Sequence, residues 1–314
     1  MRVPHQNLFD RLSGRQLILT AVFLCCAVLF VLLITACSSA PKQQEPPRAA
    51  ALEASKFAGY GNSFYTEARY EKAAEMYTLA LNSYIRIDDQ LGATICYNAL
   101  GKTFLAQGHT EKAEQMFQAA ASSLTTFRPV DEAEPKVKKA AAETYNNLGE
   151  LAFRSERHSE ALNWFEKGIT LIANTEDSAE TLAILLHNRG AVYRAQNQLE
   201  KARKEFEEAL AINRKLDNLL EIASNHYMLG VIALQEHSLE RAVDHAKRAL
   251  EFDKLSENSV GIGHDLFLLG RSHIQMEETE RGREYLQRAC NIFAALELDR
   301  EHEKVVEYLQ GNNL

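Results

Sequence analysis

One phrase recurs six times along this 314-residue chain, and that recurrence limits the fold to a stack of like units. It reads FAGYGNSF at 57–64, YNALGKTF at 97–104 and YNNLGELAF at 145–153. It returns as LHNRGAVY at 186–193, HYMLGVIA at 226–233 and LFLLGRSH at 266–273. Its glycines are Gly61, Gly101, Gly149, Gly190, Gly230 and Gly270, stepping by 40, 48, 41, 40 and 40 residues. Twelve residues after each glycine stands a small residue: Ala73, Ala113, Ala161, Ala202, Ala242 or Gly282. Four further on comes Tyr77, Phe117, Phe165, Phe206, Ala246 or Leu286, and three beyond that another small residue. Steps of four and three keep these side chains on one face of a helix. A glycine in mid-helix costs about 1 kcal/mol relative to alanine. Six in register therefore imply a neighbouring helix that approaches where a Cβ would collide.

Each unit is thus a pair of helices joined by a short polar turn such as AQGHTEK at 106–112. With its aromatic-leucine-glycine first helix and alanine-aromatic-alanine second helix, the pattern resembles the tetratricopeptide repeat. The resemblance covers about residues 54–296 and implies an all-α solenoid, a right-handed superhelix of six helix-turn-helix repeats. The period exceeds the family's usual 34, which points to lengthened helices, as in the forty-residue variants of kinesin light chain and related scaffolds. The 48-residue step coincides with TTFRPVDEAEPK, where Pro129 and Pro135 interrupt helix. The expected division is 51–297 for the six repeats and 298–314 for a capping helix and tail, with REHEKVVEYLQG covering the last apolar face.

The N-terminus carries a different signal. Arg2, Arg11 and Arg15 precede a mostly apolar run, Leu17 to Ile34, and small residues follow it. That order describes a secretory signal. Ile34-Thr35-Ala36-Cys37 resembles the bacterial lipobox, which implies a signal peptide over 1–36 and a lipidated Cys37. An uncleaved transmembrane anchor is the alternative, since 18 apolar residues approach the ~20 that cross a bilayer. Basic residues ahead of the span place the folded part away from the cytoplasm in either case. Ser38 after the cysteine favours, by analogy with other lipoproteins, the outer membrane facing the periplasm. Residues 37–50, with Pro41, Pro46 and Pro47, are expected to form a flexible tether.

Charge and motifs narrow the function. The net charge is −8, and residues 1–36 hold three basic side chains against one acidic, so the remainder is more acidic still. A chain without a Lys/Arg cluster is a poor electrostatic match for nucleic acid. Ten histidines are scattered without metal-ligand spacing; His302-Glu303 is followed by Val306 where HExxH needs its second histidine. No phosphate-binding glycine loop, GxSxG or CxxC appears after Cys37. No catalytic residue, metal or cofactor is expected. Cys96 and Cys290 lie 194 residues apart, too far along a solenoid to bridge.

The tetratricopeptide resemblance also locates a binding face. With the glycine numbered eighth in each repeat, positions 2, 5, 9 and 12 face inward in that family. The first three repeats then offer Asn62, Asn98, Lys102, Asn146 and Glu150, extended by Asn147 and Asn188 at position 6. Asparagine donates and accepts at once, so a row of them suits an extended peptide backbone. His187 continues the row into the fourth repeat. The later repeats offer Tyr227, Val231, Leu234, Phe267 and Ile274 for an apolar segment, flanked by Arg194 and Arg271, which suit a carboxylate. Packing of this apolar set against the capping helix is the alternative. The two-carboxylate clamp of chaperone-binding relatives is not met, because Ala58, Ala99 and Glu143 stand beside Asn62 where it needs other residues. The sequence therefore points to an envelope scaffold, anchored to the membrane through Cys37, that binds a protein or peptide partner. A ligand-binding lipoprotein serving a solute transporter is the second reading.

Overall fold

The structure is a computed structural model that describes residues 48–312 apart from Arg128 and Glu176. The expectations for the signal segment and for Cys37 lie outside the described residues. Among the described residues there are thirteen α-helices, one 3-10 turn and no strand. The chain divides into residues 1–50 and a second unit, residues 51–314, which holds the repeats.

The helices pair in chain order. They are α1 (Arg48–Thr66) with α2 (Tyr70–Arg86), α3 (Gln90–Ala106) with α4 (Thr110–Leu124), and α5 (Pro135–Arg154) with α6 (His158–Ile172). Then come α7 (Ala179–Ala195) with α8 (Leu199–Lys215), α9 (Leu219–Gln235) with α10 (Leu239–Leu255), and α11 (Ser259–Gln275) with α12 (Thr279–Ala295). The last helix, α13, runs Asp299–Gly311. Within the second unit each helix packs on its sequence neighbours, and α3 also touches α5, α5 touches α7, and α9 touches α11. The first helices thus form a continuous wall, and this is the all-α tetratricopeptide solenoid.

The forty-residue period has a simple origin. From α7 to α12 every helix has 17 residues, and three residues separate it from the next. The middle turn residue is left-handed throughout: Asn197, Asp217, His237, Glu257, Glu277 and Glu297 all have φ between 51° and 64°. In the turn after α10, the Asn258 N–H donates to the Asp253 carbonyl at 2.8 Å and the Glu257 N–H to the Lys254 carbonyl at 3.3 Å. This is a Schellman closure. Asn258 then turns its side chain forward, accepting from the Gly261 N–H at 3.2 Å to cap α11. One residue ends a helix and starts the next.

The phase-keeping glycines seat the rings of the second helices. A Cβ on Gly101 would lie 2.3 Å from Phe117, one on Gly149 2.5 Å from Phe165, and one on Gly61 2.5 Å from Tyr77. Phe117, Phe165 and Phe206 are fully buried as a result. In the last repeat Leu286 fills the place of the ring beneath Gly270. In the fifth repeat, where Ala246 is too small, Leu268 from the following helix reaches toward Gly230 instead.

Two boundaries differ from expectation. Helix begins at Arg48, inside the stretch 37–50 expected as tether, because the run RAAALEA after Pro46 and Pro47 strongly favours helix. The insertion before α5 is also not a bare loop. Its Phe127, Val130 and Ala133 pack on Leu124, Val137 and Ala141, so it closes a small core of its own. The cap α13 buries Val305 fully and lays Tyr308 edge-on against Phe267, ring centroids 5.8 Å apart. Cys96 and Cys290 are buried free thiols.

Gly149→Ala forces a methyl into the Phe165 ring and is expected to lower unfolding free energy by about 1–3 kcal/mol. Gly59→Ala, with nothing within 4 Å of the added carbon, is expected to raise it by up to about 1 kcal/mol. Urea denaturation of the two variants checks both signs.

Candidate partner-binding groove

In the first three repeats two adjoining clefts line up along the inner wall. One, of about 230 Å³, is bounded by Asn62, Tyr65, Tyr77, Ile95, Asn98, Ala99, Lys102 and Glu143. The next, of about 280 Å³, is bounded by Tyr65, Lys102, Leu105, Ala106, Glu150 and Arg154. They share Tyr65 and Lys102, which makes one groove running from α1 across α3 to α5. Ile95 and Glu143 stand at position 2 of their repeats, Asn98 at position 5, Asn62, Lys102 and Glu150 at position 9, and Tyr65 and Leu105 at position 12. The register carried by the glycine phase thus brings these side chains together.

Their chemistry is mixed. Lys102 is exposed, and Glu150 is paired with Arg154 at 2.6 Å. Burial raises the Glu143 carboxyl above its usual range, with Lys102 and Lys139 opposing. Asn62 accepts a hydrogen bond from the Tyr77 hydroxyl at 2.7 Å, leaving its amide N–H groups toward the groove. Ile95 is exposed at the rim.

The other asparagines are placed differently from expectation. Asn98, Asn146 and Asn147 are only 4 %, 8 % and 2 % exposed. Asn98 donates to the Thr144 hydroxyl at 2.9 Å and accepts from the Asn147 amide at 3.3 Å. Asn188 donates to Asn146 at 2.9 Å, and the His187 Nδ1 lies 3.0 Å from the Asn225 oxygen. These amides stitch α3 to α5, α5 to α7 and α7 to α9. A buried amide left unpaired costs about 1–3 kcal/mol, so they are spent on holding the wall together. The polar groups that line the open clefts are Asn62, Tyr65, Lys102, Glu143, Glu150 and Arg154. Tyr65, Glu143 and Arg154 were not among the expected contacts, although Tyr65 and Glu143 share the inward register.

The expected apolar zone proves largely to be core. Leu234 is buried, and Tyr227, Val231, Phe267 and Ile274 pack against the cluster beneath α13. Ile274 lies over Gly282, and the Arg271 guanidinium stacks 5.6 Å from the centroids of both Phe267 and Tyr308. Arg194 and Arg271 each bury an Nε without an acceptor, and both bear on the Tyr227 hydroxyl, whose pKa burial and Asp265 raise. A wider cleft, of about 660 Å³, lies off this wall, beside the insertion between Val130, Tyr145 and Lys167. Among the described residues no group of three or more His, Cys, Asp or Glu side chains is arranged to hold a metal ion, and no helix is long and apolar enough to cross a membrane.

These features define a tetratricopeptide protein with an open inner groove. The MalT-like TPR region family matches residues 63–237, and the chain belongs to that family. No curated protein matches the sequence significantly. Among solved structures, PilW, a widely conserved type IV pilus biogenesis factor, is similar with a TM-score of 0.59 and 17 % identity, over 81 % of this chain and 98 % of that one. PilF of Pseudomonas aeruginosa has a TM-score of 0.57 at 15 % identity, over 82 % and 98 %. A Rap protein complexed with competence and sporulation factor has a TM-score of 0.57 at 15 % identity, over 83 % and 75 %. At these identities the likeness is one of fold.

One buried histidine is placed so as to make stability depend on pH. His226, 2 % exposed, places Nε2 3.2 Å from the Arg214 guanidinium and Nδ1 3.0 Å from Nδ1 of His245. Arginine only donates, so Nε2 must accept and the ring proton sits on Nδ1. Burial, then His245 and Arg214, lower its pKa to about 4 from the usual 6.5. Between these values the unfolded chain binds more protons, so this contribution to stability is present above about 6.5 and is lost as pH falls toward 4. The loss of unfolding free energy between about pH 7 and about pH 5 is expected to be smaller in His226→Gln than in the wild type, by on the order of 1–2 kcal/mol. Equal losses in urea titrations would mean that His226 is not held neutral.

Proposed function

We propose that this chain is a membrane-anchored scaffold that binds a protein partner through the groove of repeats one to three. The observation that carries the reading is the run of side chains at positions 2, 5, 9 and 12 lining one continuous cleft. An open groove with Lys102, Glu143, Glu150 and Arg154 beside Tyr65 and Ile95 suits an extended segment of mixed polarity. A carrier of small apolar molecules would instead need an enclosed apolar cavity. The reading assigns the chain no catalytic step.

The anchor is the lipid on Cys37, which concentrates the groove at a membrane and raises its effective concentration for a partner there. The partner belongs to an envelope assembly such as a pilus, a secretion apparatus or a set of cell-wall enzymes, with the groove on the periplasmic side of the outer membrane. In support, PilW shares the solenoid fold and serves type IV pilus biogenesis.

Two variants test the two halves of the proposal. Cys37→Ser is expected to leave the membrane fraction while keeping its helical circular dichroism; retention in the membrane would contradict the lipid anchor. Tyr65→Ala combined with Lys102→Glu is expected to fold and to lose one envelope protein that wild type retains after crosslinking and affinity purification. Capture of the same set by both proteins would overturn the groove.

A further inference from the structure

The fifth and sixth repeats contain a second, smaller cleft, of about 200 Å³, where α9, α10 and α11 meet. Two carboxylates converge there. Asp265 of α11 is 0 % exposed, and among the described residues the group that meets its carboxyl is the neighbouring Asp253 carboxyl, with no amide, hydroxyl or basic side chain donating to it. Asp253 of α10 is also buried and receives the Asn258 amide N–H at 2.9 Å. Gly261 makes room for it, since a Cβ there would stand 1.9 Å from the Asp253 carboxylate. Neither aspartate has a lysine or arginine paired with it among the described residues.

The forty-residue phase supplies an internal comparison. One repeat earlier the corresponding residues are Asn213, Asn218 and Asn225, where Asp253, Asn258 and Asp265 stand here. The corresponding places one repeat earlier are therefore filled by neutral amides, and the carboxyl pair adds an acidic group that the repeat itself does not require. Two buried carboxyls side by side are costly unless one holds a proton or a cation lies against them. Burial and the neighbouring Asp253 push the Asp265 carboxyl up to about 9.

The rest of the lining points to the ligand. Leu220 and Val260 are exposed at the mouth, and Ser224, Tyr227 and His264 complete the walls. Ser224 and His264 stand at position 2 of their repeats and Tyr227 at position 5, so the cleft opens on the same inner wall as the groove. An apolar rim above an acidic floor matches a group with an aliphatic stem and a cationic head.

We propose that this cleft binds a primary ammonium group on an aliphatic stem, the stem lying on Leu220 and Val260 and the ammonium donating to Asp253 and Asp265. An ammonium carries three donors on a compact head and satisfies both carboxyls at once. The source is a lysine of the scaffold's partner or a free alkylamine. The first source rests on the scaffold reading, whereas the cleft itself does not.

The test uses the full-length chain in detergent, titrated with n-butylammonium, with n-butanol, and with an acetylated, amidated Gly-Lys-Gly peptide beside its norleucine counterpart. Chemical-shift changes at Gly261 and at the Asn258 side chain report occupancy. Saturable millimolar binding of the ammonium probes is expected, with none for n-butanol or the norleucine peptide. Asp265→Asn restores the residue type of the preceding repeat and should keep the fold while weakening binding about tenfold or more. Asp253→Asn should act likewise. Binding of the peptide alone assigns the cleft to a partner's lysine, and binding of n-butylammonium as well assigns it to alkylamines generally. Failure of both ammonium probes to saturate, or unchanged affinity in Asp265→Asn, would overturn the proposal whether or not the scaffold captures a partner.

Discussion

The contact on which the solenoid depends is a side chain lying where the first helix of each repeat has no Cβ, a ring from the second helix in the first four repeats and a leucine in the last two. Phe117 against Gly101 and Phe165 against Gly149 bring the two backbones closer than any side chain would allow. That approach fixes the rotation of the first helix about its own axis, and the rotation decides which positions face inward. A partner groove made of positions 2, 5, 9 and 12 is thus a consequence of core packing. The three-residue turns carry the same rotation forward, because each closes a helix through the same left-handed middle residue, and Asn218 and Asn258 also cap the helix that follows.

Much of this was legible in the sequence. Glycines in phase six times, with an aromatic sixteen residues later in the first four repeats, encode a recurrent packing contact that rises above local variation. The groove was only half legible. The register brings Asn62, Lys102 and Glu150 to the clefts of the inner wall, yet it does not say whether an asparagine there faces open space or a neighbouring helix. Asn98 and Asn147 are drawn inward because Thr144 and one another lie within hydrogen-bonding reach, and that depends on the distance between successive first helices. Phe267 and Ile274 were ambiguous for a similar reason: α13 follows the sixth repeat and packs over this face, which the repeat register does not encode.

The inner wall therefore divides its polar residues between two tasks. Buried amides and His187, from Asn98 to Asn225, tie α3 to α5, α5 to α7 and α7 to α9, while charged and aromatic groups line the open clefts. In the last two repeats the division shifts, with Asp253 and Asp265 taking places filled by asparagines one repeat earlier. Sequence drift under a fixed backbone phase is how such a scaffold acquires local chemistry without changing its fold.

The central claim is that a protein partner lies along the groove of the first three repeats. A photoreactive amino acid placed at Lys102, on the inner wall, and separately at Gln118, exposed on the second helix of the same repeat, tests it most directly. After illumination of intact envelopes, the account predicts a discrete adduct to one protein from position 102 and none from position 118. Adducts from position 118 alone, or the same adducts from both, would contradict it.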